Sequence, residues 1–312
     1  MIPSGRDFMN RSHFTAAARG LFSLVLLANG PSYQTIASLD PPTPEVVRLT
    51  RDGGFKQHLQ WSPDGKRFLL TRIHEGRMGL WVMDADGSGL KPLLAPEPNT
   101  VQFDGHWSPD GKRVAYVHVV HKGTDGQLQI NSAAADGTDV KVLIPHTAFE
   151  ESPRWSPDGK RLAWVSTRDG NQEVYAAAAD GSGPRRLTTE PAPDNAPAWS
   201  PDGKRLAFCS ARAGNFDLYV MDADGGNVRR LTDHPALDGR PAWSPDGRRI
   251  AFTSNRDGNY EIYLVGPGGS GLRNLTRHPA QDDYPAWSPD GKRLAFVSDR
   301  DGGLDVYVLD VD

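Results

Sequence analysis

No disulfide framework can form within this chain, because it holds a single cysteine, Cys209. Zinc sites built on paired thiolates fall with it. Long apolar runs are missing too, and nothing approaches the ~20 residues that a membrane-spanning helix needs. Charge of one sign is also scarce: 35 Lys and Arg against 39 Asp and Glu leave a net charge of −4. Such a balance lacks the basic footprint of a nucleic-acid binder, so no nucleic-acid partner is expected. Turn-forming residues, by contrast, are plentiful, with Gly and Pro making up 58 of 312 residues.

One phrase organises those turns. Trp-Ser-Pro-Asp-Gly-(Lys/Arg)-Arg begins at Trp61, Trp107, Trp155, Trp199, Trp243 and Trp287, with spacings of 46, 48, 44, 44 and 44 residues. A fixed period in the forties marks a repeat architecture. Within the fifth repeat the short segment Arg240–Trp243 is followed by the turn Ser244-Pro245-Asp246-Gly247, which leads into Arg249–Ser254, rich in β-branched and aromatic residues. A second turn at 255–258, a strand at 261–265, a Gly/Pro turn at 266–271 and a strand at 272–276 complete the unit. Four short strands joined by three tight turns predict a four-stranded antiparallel meander. Its second strand is an apolar run (Leu206-Ala-Phe208, Ile250-Ala-Phe252) with no strict alternation, which requires cover on both faces. Sheets stacked face to face around an axis supply that cover, with the repeated tryptophan filling the space between neighbours.

The expected fold is therefore all-β: a six-bladed β-propeller of four-stranded antiparallel blades. The last repeat stops after its third strand at 304–310, whereas Glu45-Val-Val-Arg-Leu-Thr50 stands before the first and matches Arg229-Arg-Leu-Thr232. The N-terminal strand is expected to complete the last blade and close the ring, removing two open sheet edges. The propeller is assigned to residues 45–312. Residues 1–30 differ from the rest: Arg6, Arg11 and Arg19 precede the largely apolar stretch 21–28, and Met9 offers an alternative start. This pattern predicts a signal peptide, hence a periplasmic or secreted protein, or a cytoplasmic one without cleavage. Residues 31–44, ending in Pro41-Pro-Thr-Pro44, read as a stiff linker.

Phrases such as Pro241-Ala-Trp-Ser-Pro-Asp-Gly247, Ala251-Phe-Thr-Ser-Asn-Arg-Asp-Gly-Asn259 and Glu261-Ile-Tyr263 resemble the propeller repeats of the TolB family. The resemblance covers all six repeats. It concerns the propeller part only, since 31–44 leaves no room for the α/β domain that TolB proteins carry before it. It implies an exported, non-catalytic scaffold that binds a protein or peptide partner on the channel side. The repeats are also similar to the propellers of prolyl-oligopeptidase-like enzymes, whose serine lies on a Gly-x-Ser-x-Gly elbow in a separate domain. Gly268-Gly-Ser270-Gly-Leu272 fails that pattern at its last position, and no hydrolase domain is expected after Asp312.

Asp-rich segments such as Asp84-Ala-Asp-Gly-Ser-Gly89 lack the full ligand set of a calcium loop and read as hairpin turns. His234-Pro235 and His278-Pro279 fall in connections between blades and read as structural. No metal site, cofactor or catalytic set is nominated. Variation from repeat to repeat concentrates just before each tryptophan. Three residues upstream stand His58, Asp104, Ser152, Ala196, Arg240 and Tyr284; one position earlier come Gln57, Phe103, Glu151, Asn195, Gly239 and Asp283. These are expected to ring the channel mouth, with His58, Asp104, Glu151, Arg240, Asp283 and Tyr284 as the partner-binding candidates. Irregular loops in the first two repeats add Arg72, His74, Arg77, His121 and Lys122. A basic sector (Lys56, Arg72, Arg77, Lys122) is expected to face an acidic one (Glu150, Glu151, Asp282, Asp283). A monomer is expected. The alternative reading is a propeller hydrolase or lyase using a metal or polar cluster in the channel.

Overall fold

Each tryptophan phrase ends the first strand of a sheet and supplies the turn into the second. The structure, a computed structural model, describes residues 45–95, 99–122 and 125–311, with side chains for all of these except 120–126. The leader and all but Glu45 of the stretch before the first strand lie outside the described residues. The 24 described strands form six four-stranded sheets, the blades. In blade 1 the strands run Lys56–Trp61 (a), Arg67–His74 (b), Arg77–Asp84 (c) and Lys91–Pro92 (d), hydrogen-bonded in that order. Blades 2 to 5 repeat the pattern. Blade 6 takes its strands a to c from Asp282–Trp287, Arg293–Ser298 and Asp305–Asp310, and its strand d from Val46–Arg48. Val46 faces Leu309 and Arg48 faces Tyr307 in an antiparallel register, so the ring closes as expected. Among the described residues no helix is long and apolar enough to cross a membrane.

The turn chemistry explains why the phrase recurs. Ser62 Oγ donates to Asp64 Oδ1 at 2.6 Å and accepts the Arg67 amide at 2.9 Å, while the Lys66 amide donates to the same carboxylate oxygen. Gly65 closes the turn at φ +68°, where a side chain would be strained. The same bonds recur in the other five blades.

The apolar core lies between blades. One cluster joins Ala207, Leu218 and Val220 of blade 4 to Trp243, Ile250 and Phe252 of blade 5. The tryptophan indole is thus the wedge between neighbours. The arginine that ends each phrase stacks over the next blade's tryptophan in five of six cases, for example Arg205 over Trp243 at 4.8 Å. Its neighbour, such as Lys66, is an exposed turn flank.

The Asp-Gly turns between strands c and d, at Asp86-Gly87 and Asp180-Gly181 for example, are hairpin turns with a second task. Gly181 has φ +83°, and a Cβ there would lie 2.1 Å from the Leu143 carbonyl oxygen of the preceding blade. Gly181→Ala is therefore expected to lower stability by about 2 kcal/mol or more, combining left-handed strain with a backbone clash. Urea unfolding measures this, and a loss below about 0.5 kcal/mol would contradict such close packing.

Candidate functional site

The six residues three positions before each tryptophan share one unusual backbone state. His58, Asp104, Ser152, Ala196, Arg240 and Tyr284 all have φ between 49° and 57°. Each sits in a β-bulge of strand a, where the register slips by one residue against strand b, as between Gln57 and Gln60. A left-handed L-residue costs about 1 kcal/mol or more, and a bulge re-aims the side chain it carries. In four blades the next residue is proline (Pro153, Pro197, Pro241, Pro285), tolerated because a bulge interrupts the ladder that needs an N–H.

These bulges open onto one cavity of about 710 Å³, lined by His58, Asp104, Glu151, Arg240 and Tyr284 among others. It continues along strand a to the tryptophans and to Pro63, Pro109 and Pro245 of the Ser-Pro-Asp-Gly turns. A second ring, absent from the sequence reading, lies one residue before each tryptophan: Gln60, His106, Arg154, Ala198, Ala242 and Ala286 all line the cavity. Period-two alternation along the strand puts this position on the face of the bulge residue, and that was the available signal. The two rings divide the channel. Blades 1 to 3 present polar groups at the second ring, whereas blades 4 to 6 present alanine there.

On the polar side Arg154 donates to Asp104 at 2.9 Å and Ser152 Oγ to its other oxygen at 2.8 Å. Burial opposes ionisation of Asp104, but Arg154, His58 and these hydrogen bonds prevail and hold its carboxyl at about 2. Burial pushes His106 down to about 3, reinforced by Arg154, so its Nδ1 is free to accept the Trp155 amide at 3.3 Å. Burial also lowers His58, whose Nδ1 lies 3.2 Å from Thr71 Oγ1. Its ring stands 5.1 Å from that of Tyr284, edge on. Between blades 5 and 6 Arg240 covers the Tyr284 ring at 4.4 Å and pairs with Asp283 at 3.2 Å. Burial raises the Tyr284 hydroxyl to about 12. Asp283 itself stands behind this pair, accepting from Thr253 at 2.8 Å. Cys209 also lines the cavity, but burial lifts its thiol to about 12 and leaves it unreactive.

Glu151 is different. It lines the cavity half-buried, and burial followed by the nearby Asp104 charge raises its pKa. Its hydrogen bond is a long one, from Gln172 at 3.4 Å.

The two opposed charged sectors expected from the sequence do not form, because most of their members are consumed locally. Lys56 is 0% exposed and donates to Asp52 and, at 3.3 Å, to Asp305. Glu150 is equally buried against Arg168 at 3.0 Å, and Asp282 against Arg300 at 2.9 Å. Arg72 pairs with Asp52 and stacks over Trp81 at 4.6 Å. His74 and Arg77 are exposed at the tip of the blade 1 hairpin, outside the cavity lining. His121 and Lys122 belong to strand b of blade 2, Arg113–Lys122, and their side chains lie outside those described. The interblade histidines are turn elements: His234 Nδ1 accepts the Ala236 amide at 3.1 Å, and His278 does the same for Ala280. Among the described residues no group of three or more His, Cys, Asp or Glu side chains is placed to hold a metal ion.

Comparison with known proteins places this geometry. A Tol-Pal system protein TolB from Anaeromyxobacter dehalogenans is 35% identical over 119 residues, or 35% of this chain and 26% of that protein. The chain thus matches about a quarter of the length of that relative. The structure of a putative TolB from Agrobacterium tumefaciens superposes with a TM-score of 0.66 at 23% identity, covering 86% of this chain and 97% of that one. An oligogalacturonate lyase from Vibrio parahaemolyticus superposes at 0.61 with 13% identity, over 88% and 95% of the two chains. At such identities the likeness concerns the fold alone. The sequence matches the family described as TolB beta propeller domain over residues 80–236 and 232–312. With that match and six blades of the same phrase, the chain belongs to the TolB β-propeller family.

Proposed function

We propose that this propeller is a non-catalytic exported scaffold that binds an extended peptide segment of a partner protein at the channel mouth. One observation carries the reading: six left-handed bulges direct non-repeating side chains into a single cavity, while the Trp-Ser-Pro-Asp-Gly phrase that follows each of them stays nearly constant. Strained backbone maintained at one opening is a pointer to binding. A channel polar on one wall and apolar on the other suits a peptide, which offers both kinds of group. Arg240, Tyr284 and His58 form the aromatic and cationic anchor of the rim, the residue types that dominate binding hot spots. The TolB name of the relatives supports this reading over an enzymatic one, and the arginine-rich leader supports export to the periplasm.

Peptides selected from a random display library on the wild-type protein test it. Selected peptides are expected to lose about 30-fold or more in affinity for the triple variant His58→Ala, Arg240→Ala, Tyr284→Ala, with a thermal midpoint lowered by only a few degrees. Equal affinity for both proteins would place binding elsewhere on the surface.

A further inference from the structure

Charge pairing within the channel leaves one group over. Asp104 is matched by Arg154, and Arg240 by Asp283. Asp238, which also lines the cavity, is held by Arg256 through both oxygens at 2.8 Å. Among the described residues Glu151 is the cavity carboxylate without an ion pair. It is not isolated at random. Asn195 donates to Gln172 at 3.4 Å and Gln172 to Glu151 at 3.4 Å, so a chain of amides from blades 3 and 4 orients the carboxylate. Beyond that chain the wall becomes apolar: Ala196, Ala198, Phe216, Leu237 and Gly239 line the same cavity on blades 4 and 5. Phe216 and Leu237 are only half-buried, so their apolar surface is available.

We infer that Glu151 is the subsite for a primary ammonium group, with Phe216 and Leu237 receiving the apolar carbons beside it. This rests on the peptide-binding reading above and names the chemistry of the group bound. A carboxylate partly removed from water and without an ion pair lacks full solvation and a counter-charge, and an incoming ammonium supplies the counter-charge and up to three donors. The raised proton affinity of Glu151 agrees with that deficit. Arg154 and Arg240 are already engaged by Asp104 and Asp283 and leave no free cation to recruit an acidic ligand at this wall. Two sources carry the required chemistry in a peptide: the chain N-terminus followed by an apolar residue, and a lysine side chain with its four-carbon stem.

Calorimetric titration distinguishes them. Three probes suffice: the tetrapeptide amide Leu-Ala-Gly-Ala, its N-acetyl form, and N-acetyl-Ala-Lys-Gly-Ala amide. At least one ammonium probe is expected to bind the wild-type protein about tenfold or more tightly than N-acetyl-Leu-Ala-Gly-Ala amide. That preference is expected to vanish in Glu151→Gln, an isosteric change that breaks no ion pair. Preference for the free N-terminus alone, or for lysine alone, supports the inference and identifies the source. Equal binding of charged and acetylated probes, a preference retained in Glu151→Gln, or no binding at millimolar concentration overturns it. Display-selected peptides that need His58, Arg240 and Tyr284 but ignore Glu151→Gln would sink this subsite while leaving the channel-mouth reading intact.

Discussion

Replacing Asp305 with alanine is expected to destabilise the propeller by about 3–5 kcal/mol, the cost of breaking a buried network of ion pairs and hydrogen bonds. Asp305 is 0% exposed and gathers four donors from the other end of the chain. Arg48 Nη2 lies at 2.7 Å, Thr50 Oγ1 at 2.6 Å, the Gly53 amide at 3.3 Å and Lys56 Nζ at 3.3 Å. In blade 3 the corresponding Glu173 takes the same bonds from Arg186 and Thr188, only 13 and 15 residues away. In blade 6 the separation reaches 257 residues, so this cluster is what fastens the closing strand. Without Asp305 the fully buried Lys56 keeps Asp52 and two carbonyls but loses one of its two carboxylates. Burial opposes the charge on Asp305, yet the bonds from Thr50 and Arg48 and the Lys56 charge hold its pKa at about 2. A depressed carboxylate stabilises the fold above its ordinary value of 3.8 and loses that contribution as pH falls towards 2. The clasp should therefore weaken in acid in the wild type, and the variant should lack that part of the acid dependence. Urea unfolding at pH 7 and pH 3 measures both, and a loss below about 1 kcal/mol at pH 7 would refute the clasp.

Arg154→Met is expected to be nearly as damaging, with the opposite pH behaviour. Asp104 is 3% exposed, and the variant leaves it Ser152 as its side-chain hydrogen-bond donor. Removing the guanidinium strips away the largest influence that holds the carboxyl at about 2, so burial then raises its pKa. The sign of the linkage reverses: a raised carboxylate pKa makes the folded state lose stability as pH rises through it. The variant should be about 3 kcal/mol less stable than wild type at pH 7, with the gap closing towards pH 4. Asp104→Asn in the same chain should recover much of the loss at neutral pH. A deficit that is the same at pH 7 and pH 4 and survives Asp104→Asn would show that Arg154 acts by packing alone.

Much of the fold could be read from the sequence because its determinants are local. Ser62, Pro63, Asp64 and Gly65 make their turn with their own side chains and amides, so each occurrence reports the same hairpin wherever it stands. The bulge residues could be found because they vary where the surrounding phrase does not. Charges were harder. Glu150 and Glu151 are adjacent and chemically alike, yet one is 0% exposed beside Arg168 and the other lines the channel without a cation. Lys56 reads as a surface lysine and is an interior one.

The amino-acid sequence by itself determined the number of blades, the strands within each and the strand that closes the ring, since turn propensity and repeat period act over a few residues. The tertiary structure alone decided which side chains meet in the channel and which charges remain unpaired there. A bulge sets where a side chain points, and partners up to 50 residues away, as with Arg154 and Asp104, decide whether its charge is satisfied or left for a ligand.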